Sequence, residues 1–394
     1  LKNREAQFGK RFTCRTGGSG CDRGCEITMV SIDGKSIPFG GACNRYYNLH
    51  KQIQVDADAL DLVKQRQDIV LNVENTPRKG QSPRSKRATV GINRSFLFHS
   101  YYPLYATFFN NLGFDVLVPD TPSREGIAER GGAFCYPAEL SHGFFHRLIG
   151  LDPPPDYLFL PQVKAIPSEC IEISSDLCPF VQGEPYFLRT TFRRHLQRIG
   201  MTTDRLLSPV LNLKSGLASA RAPLMETARK MGGGSHRRAF DAFDRAVAAQ
   251  NACVDRIKRI GQQALQALAE NPRKIAAVIF GRPYNACAEE THMGIPRKLA
   301  SRGVLTLPLD CLPTETGFSR RHMYWGMGQQ IIRTARLVAD HPQLFGVYIT
   351  NFSCGPDSFL ITYFRDIMGQ KHSLTLELDS HTADPGLETR IEAF

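Results

Sequence analysis

The chain has 394 residues, 42% of them hydrophobic and 22% charged, with a formal net charge of +11. That length exceeds what one hydrophobic core comfortably fills and favours two or three domains, while the ordinary apolar and charged content excludes a fibrous or disordered chain. No apolar run reaches the roughly eighteen residues of a membrane span, and the polar start Leu1-Lys2-Asn3-Arg4 has no apolar stretch behind it for a signal peptide, so the expected compartment is the cytoplasm.

The start without Met points to a segment cut from a longer polypeptide or a processed start. Eleven cysteines is an odd number, and in a reducing compartment metal binding or catalysis outranks a disulfide framework. The basic balance suits nucleic acid, an anionic cofactor such as coenzyme A, or an acidic protein partner, and scattered surface Arg and Lys account for it equally well.

In chain order, residues 1–75 read as a small Cys-rich metal-binding domain with a helix. It opens on a Gly- and Cys-rich stretch and continues in an amphipathic stretch from Leu49 to about Leu71, with Leu60, Val63 and Ile69 on a helical period. So little apolar material needs a metal staple to fold. Residues 76–87, rich in Pro, Gly, Ser and basic side chains, read as a solvated linker. Residues 88–190 form a first α/β lobe, with strand-like runs at Thr89–Ile92, Phe114–Val118 and Tyr157–Leu160 alternating with helical segments.

Residues 191–272 read as a helical segment. In it Phe240, Phe243, Val247, Val254, Ile257, Ala264 and Leu268 mark one long helix from about Arg237 to Glu270, entered after Gly232–Gly234 and stopped by Asn271-Pro272. Residues 273–394 form a second α/β lobe, with strands at Ile275–Phe280, Val304–Leu307, Gly346–Thr350 and Leu374–Leu378. The fold class is therefore α/β: two Rossmann-like open parallel-sheet lobes, a helical middle and the small N-terminal domain. The two lobes are candidates for a diverged duplication.

Three cysteines share a context. Cys135-Tyr-Pro137, Cys178-Pro179 and Cys354-Gly-Pro356 each precede a helical run, and proline favours the first helical turn, so each thiol is expected just before a helix N-terminus. Such an end carries unpaired N–H groups and partial positive charge, which lower a thiol pKa and stabilise a negatively charged cluster. Three thiolates meeting in a crevice between lobes would hold a four-iron cluster with one iron open. The bland alternative is packing, since free cysteine is among the most buried residues. Cys253 reads as core, and Cys170, Cys287 and Cys311 are undecided.

A second set, Cys14, Cys21, Cys25 and Cys43, places four thiols within 30 residues among several glycines. Zinc and an iron–sulfur cluster are both open there. No phosphate loop is present, because neither glycine run is followed by Gly-Lys-Ser/Thr, so ATP would be handled elsewhere. Glu139 with His142 and Glu290 with His292 are acid–base candidates of low weight. Arg282, in Gly281-Arg-Pro-Tyr284, is a candidate for binding a phosphate or carboxylate, against an equal case for a structural turn.

The stretches Cys135–Gly143, Cys178–Tyr186, Gly281–Asn285, Asn351–Ser358 and Glu377–Asp384 resemble the acyl-CoA dehydratase activase-related proteins, relatives of the 2-hydroxyacyl-CoA dehydratases and double-cubane cluster proteins. The resemblance spans nearly the whole chain, as the C-terminal portion of such a polypeptide, without the ATPase modules of the long activases. It implies Rossmann-like lobes around an iron–sulfur cluster, 4Fe-4S or double-cubane, with Cys135, Cys178 and Cys354 as ligands. It also implies an ATP-hydrolysing activator or reductase partner that supplies low-potential electrons, and an acyl-CoA or small reducible substrate. The rival readings are a zinc-stapled nucleic-acid-binding module, which ranks lower for want of a stacking motif or recognition helix, and a non-catalytic scaffold.

Overall fold

The computed structural model describes residues 6–14, 24–32, 34–41, 45–52, 54–73, 87–132, 135–168, 172–313 and 320–394. Cys21, Cys43, Cys170 and all of the expected linker except Arg87 lie outside them. Thirteen strands are described. β1 (Ala6–Thr13), β2 (Glu26–Ile32) and β3 (Lys35–Phe39) form an antiparallel meander. In the first lobe follow β4 (Thr89–Ile92), β5 (Asp115–Leu117), β6 (Tyr157–Phe159), β7 (Gln162–Ala165), β8 (Leu206–Leu207) and β9 (Val210–Asn212). The second lobe has β10 (Ala276–Phe280), β11 (Leu305–Pro308), β12 (Leu344–Asn351) and β13 (Ser373–Leu378).

Each lobe is built on a four-stranded parallel sheet, in the order β5-β4-β6-β8 in the first and β11-β10-β12-β13 in the second, while β7 and β9 pair separately in parallel. Counted from its own first strand, each main sheet runs second, first, third, fourth. The repeated order accords with a diverged duplication. The apolar runs explain why these segments become parallel strands: all five residues of β10 are buried, because helices cover both faces of such a sheet. β8 and β9 fall inside 191–272, the stretch expected to be helical, and their few residues carry too little alternation to be read as strands.

The long helix runs from His236 to Ala269, capped by the Ser235 hydroxyl, which accepts from the Arg238 amide at 3.2 Å. Its buried seam is made mainly of small residues, Ala239, Ala242, Ala246, Gly261 and Ala264, with Phe243, Ile257 and Leu268. Val254, expected on that seam, is 44% exposed. The helix packs first along Phe98–Leu112 of the first lobe and then on Leu309–Cys311 of the second, and a Cβ at Gly261 would collide with the Cys311 carbonyl. A small-residue seam lets one helix approach both lobes closely.

The amphipathic stretch after Leu49 is broken into three short helices, because Asp56 and Asp61 each accept backbone amides and restart the helix. The last of them, Leu62–Leu71, belongs to the lobes. Leu62 and Val70 enter the core shared by the long helix and β10. Arg66, only 2% exposed, donates to the His99 carbonyl at 2.5 Å and to Asp310 Oδ2 at 3.0 and 2.8 Å. One side chain thus joins this helix to both lobes. No helix among the described residues is long and apolar enough to cross a membrane.

Candidate functional site

β10 and β12 are neighbouring strands with β11 and β13 on their outer sides, so the strand order reverses between them; in open parallel sheets ligands collect beyond the carboxyl ends at such a point. Directly after β10 the chain turns at Gly281 (φ 137°), where a Cβ would collide with the Ile349 carbonyl, so glycine is required. The turn sends Arg282 inward, where it is 5% exposed. Directly after β12, Ser353 adopts a left-handed backbone (φ 61°), and Cys354 becomes the N-cap of the helix Gly355–Met368 with Pro356 in its first turn.

Arg282 Nη2 donates to Cys354 Sγ at 2.8 Å and to Asp357 Oδ2 at 2.7 Å. Asp357, 1% exposed, also accepts from the Tyr348 hydroxyl at 3.1 Å and from the Thr350 hydroxyl. A buried carboxylate is tolerable here because a guanidinium and two hydroxyls satisfy it. Arg282 was read equally as an anion binder and as part of a structural turn; in the structure it pairs with the carboxylate of Asp357 in the same chain. The guanidinium also lies 5.2 Å from the centre of the buried Tyr284 ring, which meets Phe96 of the first lobe edge-on at 5.3 Å.

The first lobe contributes the other two thiols. Cys135 caps the helix Tyr136–Ile149 and Cys178 caps the helix Pro179–Thr191, each with proline in the first turn. The loop leading to Cys178 is tied to the second lobe, since the Gly326 amide donates to the Asp176 carbonyl at 3.0 Å. All three thiols, each partly buried, lie in electrostatic range of Tyr284, and Cys135 is in range of both other thiols. The three cysteines expected at helix N-termini stand there, and Cys135 is within electrostatic range of the other two. Among the described residues no three or more His, Cys, Asp or Glu side chains are grouped closely enough to hold a single metal ion.

The expected lowering of the thiol pKa is reversed at Cys135 and Cys354. Burial pushes Cys135 up to about 12, against the opposing pull of Arg282 and of the Ala138 amide. Cys354 is likewise raised by burial, with Arg282 and the Asp357 amide pulling the other way. The amides act in the anticipated direction, and desolvation outweighs them.

The remaining candidates separate. The Cys14 amide donates to the Cys25 carbonyl at 2.7 Å, which sets these two residues opposite one another beyond the β1–β2 pair. Cys253, Cys287 and Cys311 are buried. Glu139 pairs with Arg130 at 3.3 Å, while His142 Nδ1 donates to the Ala138 carbonyl at 2.7 Å. Glu290 pairs with Arg94 at 3.3 Å, while His292 Nδ1 accepts from the Gly294 amide at 3.1 Å. Each acidic residue is thus partnered by arginine. Asp357 escaped sequence reasoning, although an acid three residues into a Cys-Gly-Pro helix start was a usable signal.

Residues 89–312, more than half of the chain, match a family model described as CoA enzyme activase uncharacterised domain. No curated protein matches the sequence. A solved structure described as "Crystal structure of ZnuA" aligns at 12% identity over 78% of this chain and 97% of that one; its TM-score of 0.21 carries no argument.

Proposed function

The chain belongs to the family of the CoA enzyme activase uncharacterised domain, and from that premise we propose that it is an iron–sulfur electron-transfer or reductive component of an activase system, supplied with low-potential electrons by an ATP-hydrolysing partner. The observation that carries this reading is the placing of Cys135, Cys178 and Cys354 at three helix N-termini, with Arg282 bonded to Cys354. Cysteine sulfur is the donor type that an iron–sulfur cluster takes. Three partly buried sulfur donors at helix N-termini support that reading, and Arg282 Nε is buried with no partner in the protein. When bound, such a cluster supplies one-electron chemistry at low potential.

The chain's own residues do the rest. Asp357 holds the Arg282 guanidinium, Arg282 holds Cys354 in place and offers positive charge to an anionic group at the thiols, and Tyr284 with Phe96 shields that group from water on the inner side. A CoA thioester or another small reducible molecule is the substrate class this reading calls for. At the N-terminal site, the facing of Cys14 and Cys25 supports a metal staple completed by Cys21 and Cys43, with zinc or a second iron–sulfur cluster as its metal.

The test is anaerobic purification with iron, acid-labile sulfide and EPR analysis of the wild type beside Cys135→Ser, Cys354→Ser and Cys253→Ser. The wild type and Cys253→Ser are expected to hold iron and sulfide with a cluster EPR signal on reduction. The other two are expected to lose most of that signal. A colourless wild type after anaerobic reconstitution, or unchanged content in Cys354→Ser, sinks the proposal.

A further inference from the structure

We propose that Glu184 is a proton-operated latch: as a neutral acid it seats the helix Pro179–Thr191, and with it Cys178, on the end of β4, and loss of the proton frees that helix. Glu184 lies in the second turn of the helix and is 7% exposed. Its Oε1 accepts from Asn93 Nδ2 at 2.9 Å, from the Ser141 hydroxyl at 2.8 Å and from the Ser95 hydroxyl. Asn93 and Ser95 lie in the turn that follows β4, and Ser141 lies on the helix Tyr136–Ile149 that Cys135 caps. One carboxyl group thus joins three elements, and two of them carry a thiol at the N-terminus.

This arrangement suits a neutral acid. Among the described residues all three donors go to Oε1 and none to Oε2, and the partners are neutral, whereas Asp357 and Asp310 each pair with an arginine. A carboxylate here would hold an uncompensated charge away from water. In the neutral acid Oε1 is the accepting carbonyl and Oε2 carries the proton. Glu184 also lines a small chamber of about 20 Å³, room for a single water to accept from that O–H. Burial raises the Glu184 pKa above the ordinary glutamate value, against the pull of Ser95, Ser141 and Asn93. The unfolded chain gives up this proton first, so the latch contributes fully below about pH 4.5 and is lost as pH rises through its own, higher pKa.

The titratable side chains on the surrounding elements do not offset a charge at Glu184. Tyr105, from the helix Phe98–Leu112, is in electrostatic range of it and is held neutral by its own burial. Arg94, beside Asn93, pairs with Glu290 and donates to the Asp120 carbonyl. His142 bonds to the Ala138 carbonyl and stacks on Phe187. Lys164 is the exposed residue of β7, and Arg189 lies in the last turn of the helix that carries Glu184. The turn that the latch holds is strained, since Phe96, next to Ser95, has φ 42°. Phe96 also lines the chamber and meets Tyr284 of the second lobe. Hydrating an ionised Glu184 requires its helix to lift from this turn, whatever occupies the thiols.

The experiment follows the full chain from pH 6 to pH 9 by infrared spectroscopy and by hydrogen exchange read by mass spectrometry, corrected for the intrinsic pH dependence of exchange. Wild type, Glu184→Gln, whose amide imitates the neutral acid, and Ser141→Ala are compared. At pH 6 the wild type is expected to show a carboxylic-acid C=O band that Glu184→Gln lacks. As that band fades toward pH 9, exchange over residues 179–191 should rise at least ten-fold in the wild type and stay level in Glu184→Gln. Ser141→Ala removes a donor that favours the carboxylate, so both of its transitions should move together to higher pH. No such band at pH 6, a band unchanged at pH 9, or an equal rise in Glu184→Gln overturns the proposal. So does a matching rise over the long helix, residues 236–269, because the whole fold would then be loosening. Unmoved transitions in Ser141→Ala overturn it even if Glu184→Gln does not fold.

Discussion

Arg282 pairs with Asp357 beside Cys354, and Cys135 and Cys178 lie close by; Arg66 pairs with Asp310 amid the electrostatic reach of Cys253 and Cys287, and Cys311 lies within reach of Asp310. Both regions thus set thiols within electrostatic range of a buried arginine that pairs with an aspartate. They differ in where the backbone places the sulfurs. The first three stand at helix N-termini and keep partial exposure, whereas the second three sit in the core or on its edge, with Cys311 fully covered. Burial raises Cys287 to about 12, as it does Cys135, so the pKa direction does not separate the two groups. Helix-end placement does, because only there do unpaired amides face an incoming anionic group.

If the Arg66 pair is a clamp and the Arg282 pair a site, the largest effect should follow from breaking the clamp. Arg66→Met removes hydrogen bonds to both lobes at once and leaves Asp310 without its cation. It is expected to cost about 3–5 kcal/mol in urea unfolding, the usual penalty for removing one partner of a buried pair. A loss below about 1 kcal/mol would put it among ordinary surface changes and dissolve the distinction. A smaller effect separates the thiols themselves. Cys311→Ala empties a fully buried position and is expected to cost about 1–2 kcal/mol, against about 0.5 kcal/mol or less for the metal-free form of Cys354→Ala. Equal losses would leave the two thiol groups indistinguishable as packing residues.

Much of this contrast was readable before any coordinates. A proline one or two residues after a cysteine fixes the backbone of a helix start, so Cys135, Cys178 and Cys354 declared their positions locally. The seven long apolar runs became strands within a residue or two, and the long helix began and ended one residue from its expected ends. What escaped depends on distant partners. The helix Leu62–Leu71 looked like part of a small N-terminal domain, because nothing in its own sequence says that Arg66 will reach Asp310, 244 residues away. The pKa direction at Cys135 and Cys354 was misread for the same reason: the helix amides are local, and the burial that outweighs them is tertiary.

The smallest of the expected effects concerns protons at the clamp. Arg66 Nη1 donates to Gln67 Oε1 at 3.2 Å, which orients the Gln67 amide so that its nitrogen donates to His99 Nδ1 at 2.8 Å. A ring nitrogen that accepts cannot carry a proton, so the geometry holds His99 neutral. Burial, reinforced by Arg94, Arg66 and His292, lowers its pKa well below 6.5. The sign follows from counting protons: below pH 6.5 the unfolded chain protonates this histidine while the folded chain does not, so the unfolded state binds more and stability falls as pH falls. The slope from this one group approaches about 1.4 kcal/mol per pH unit. Urea unfolding at pH 7.5, 6.5 and 5.5 should therefore show a shallower acid loss in His99→Gln, whose amide oxygen still accepts from Gln67. Identical slopes in the two proteins would mean that the clamp admits a proton, and with it enough solvent to erase the contrast with the partly buried thiols.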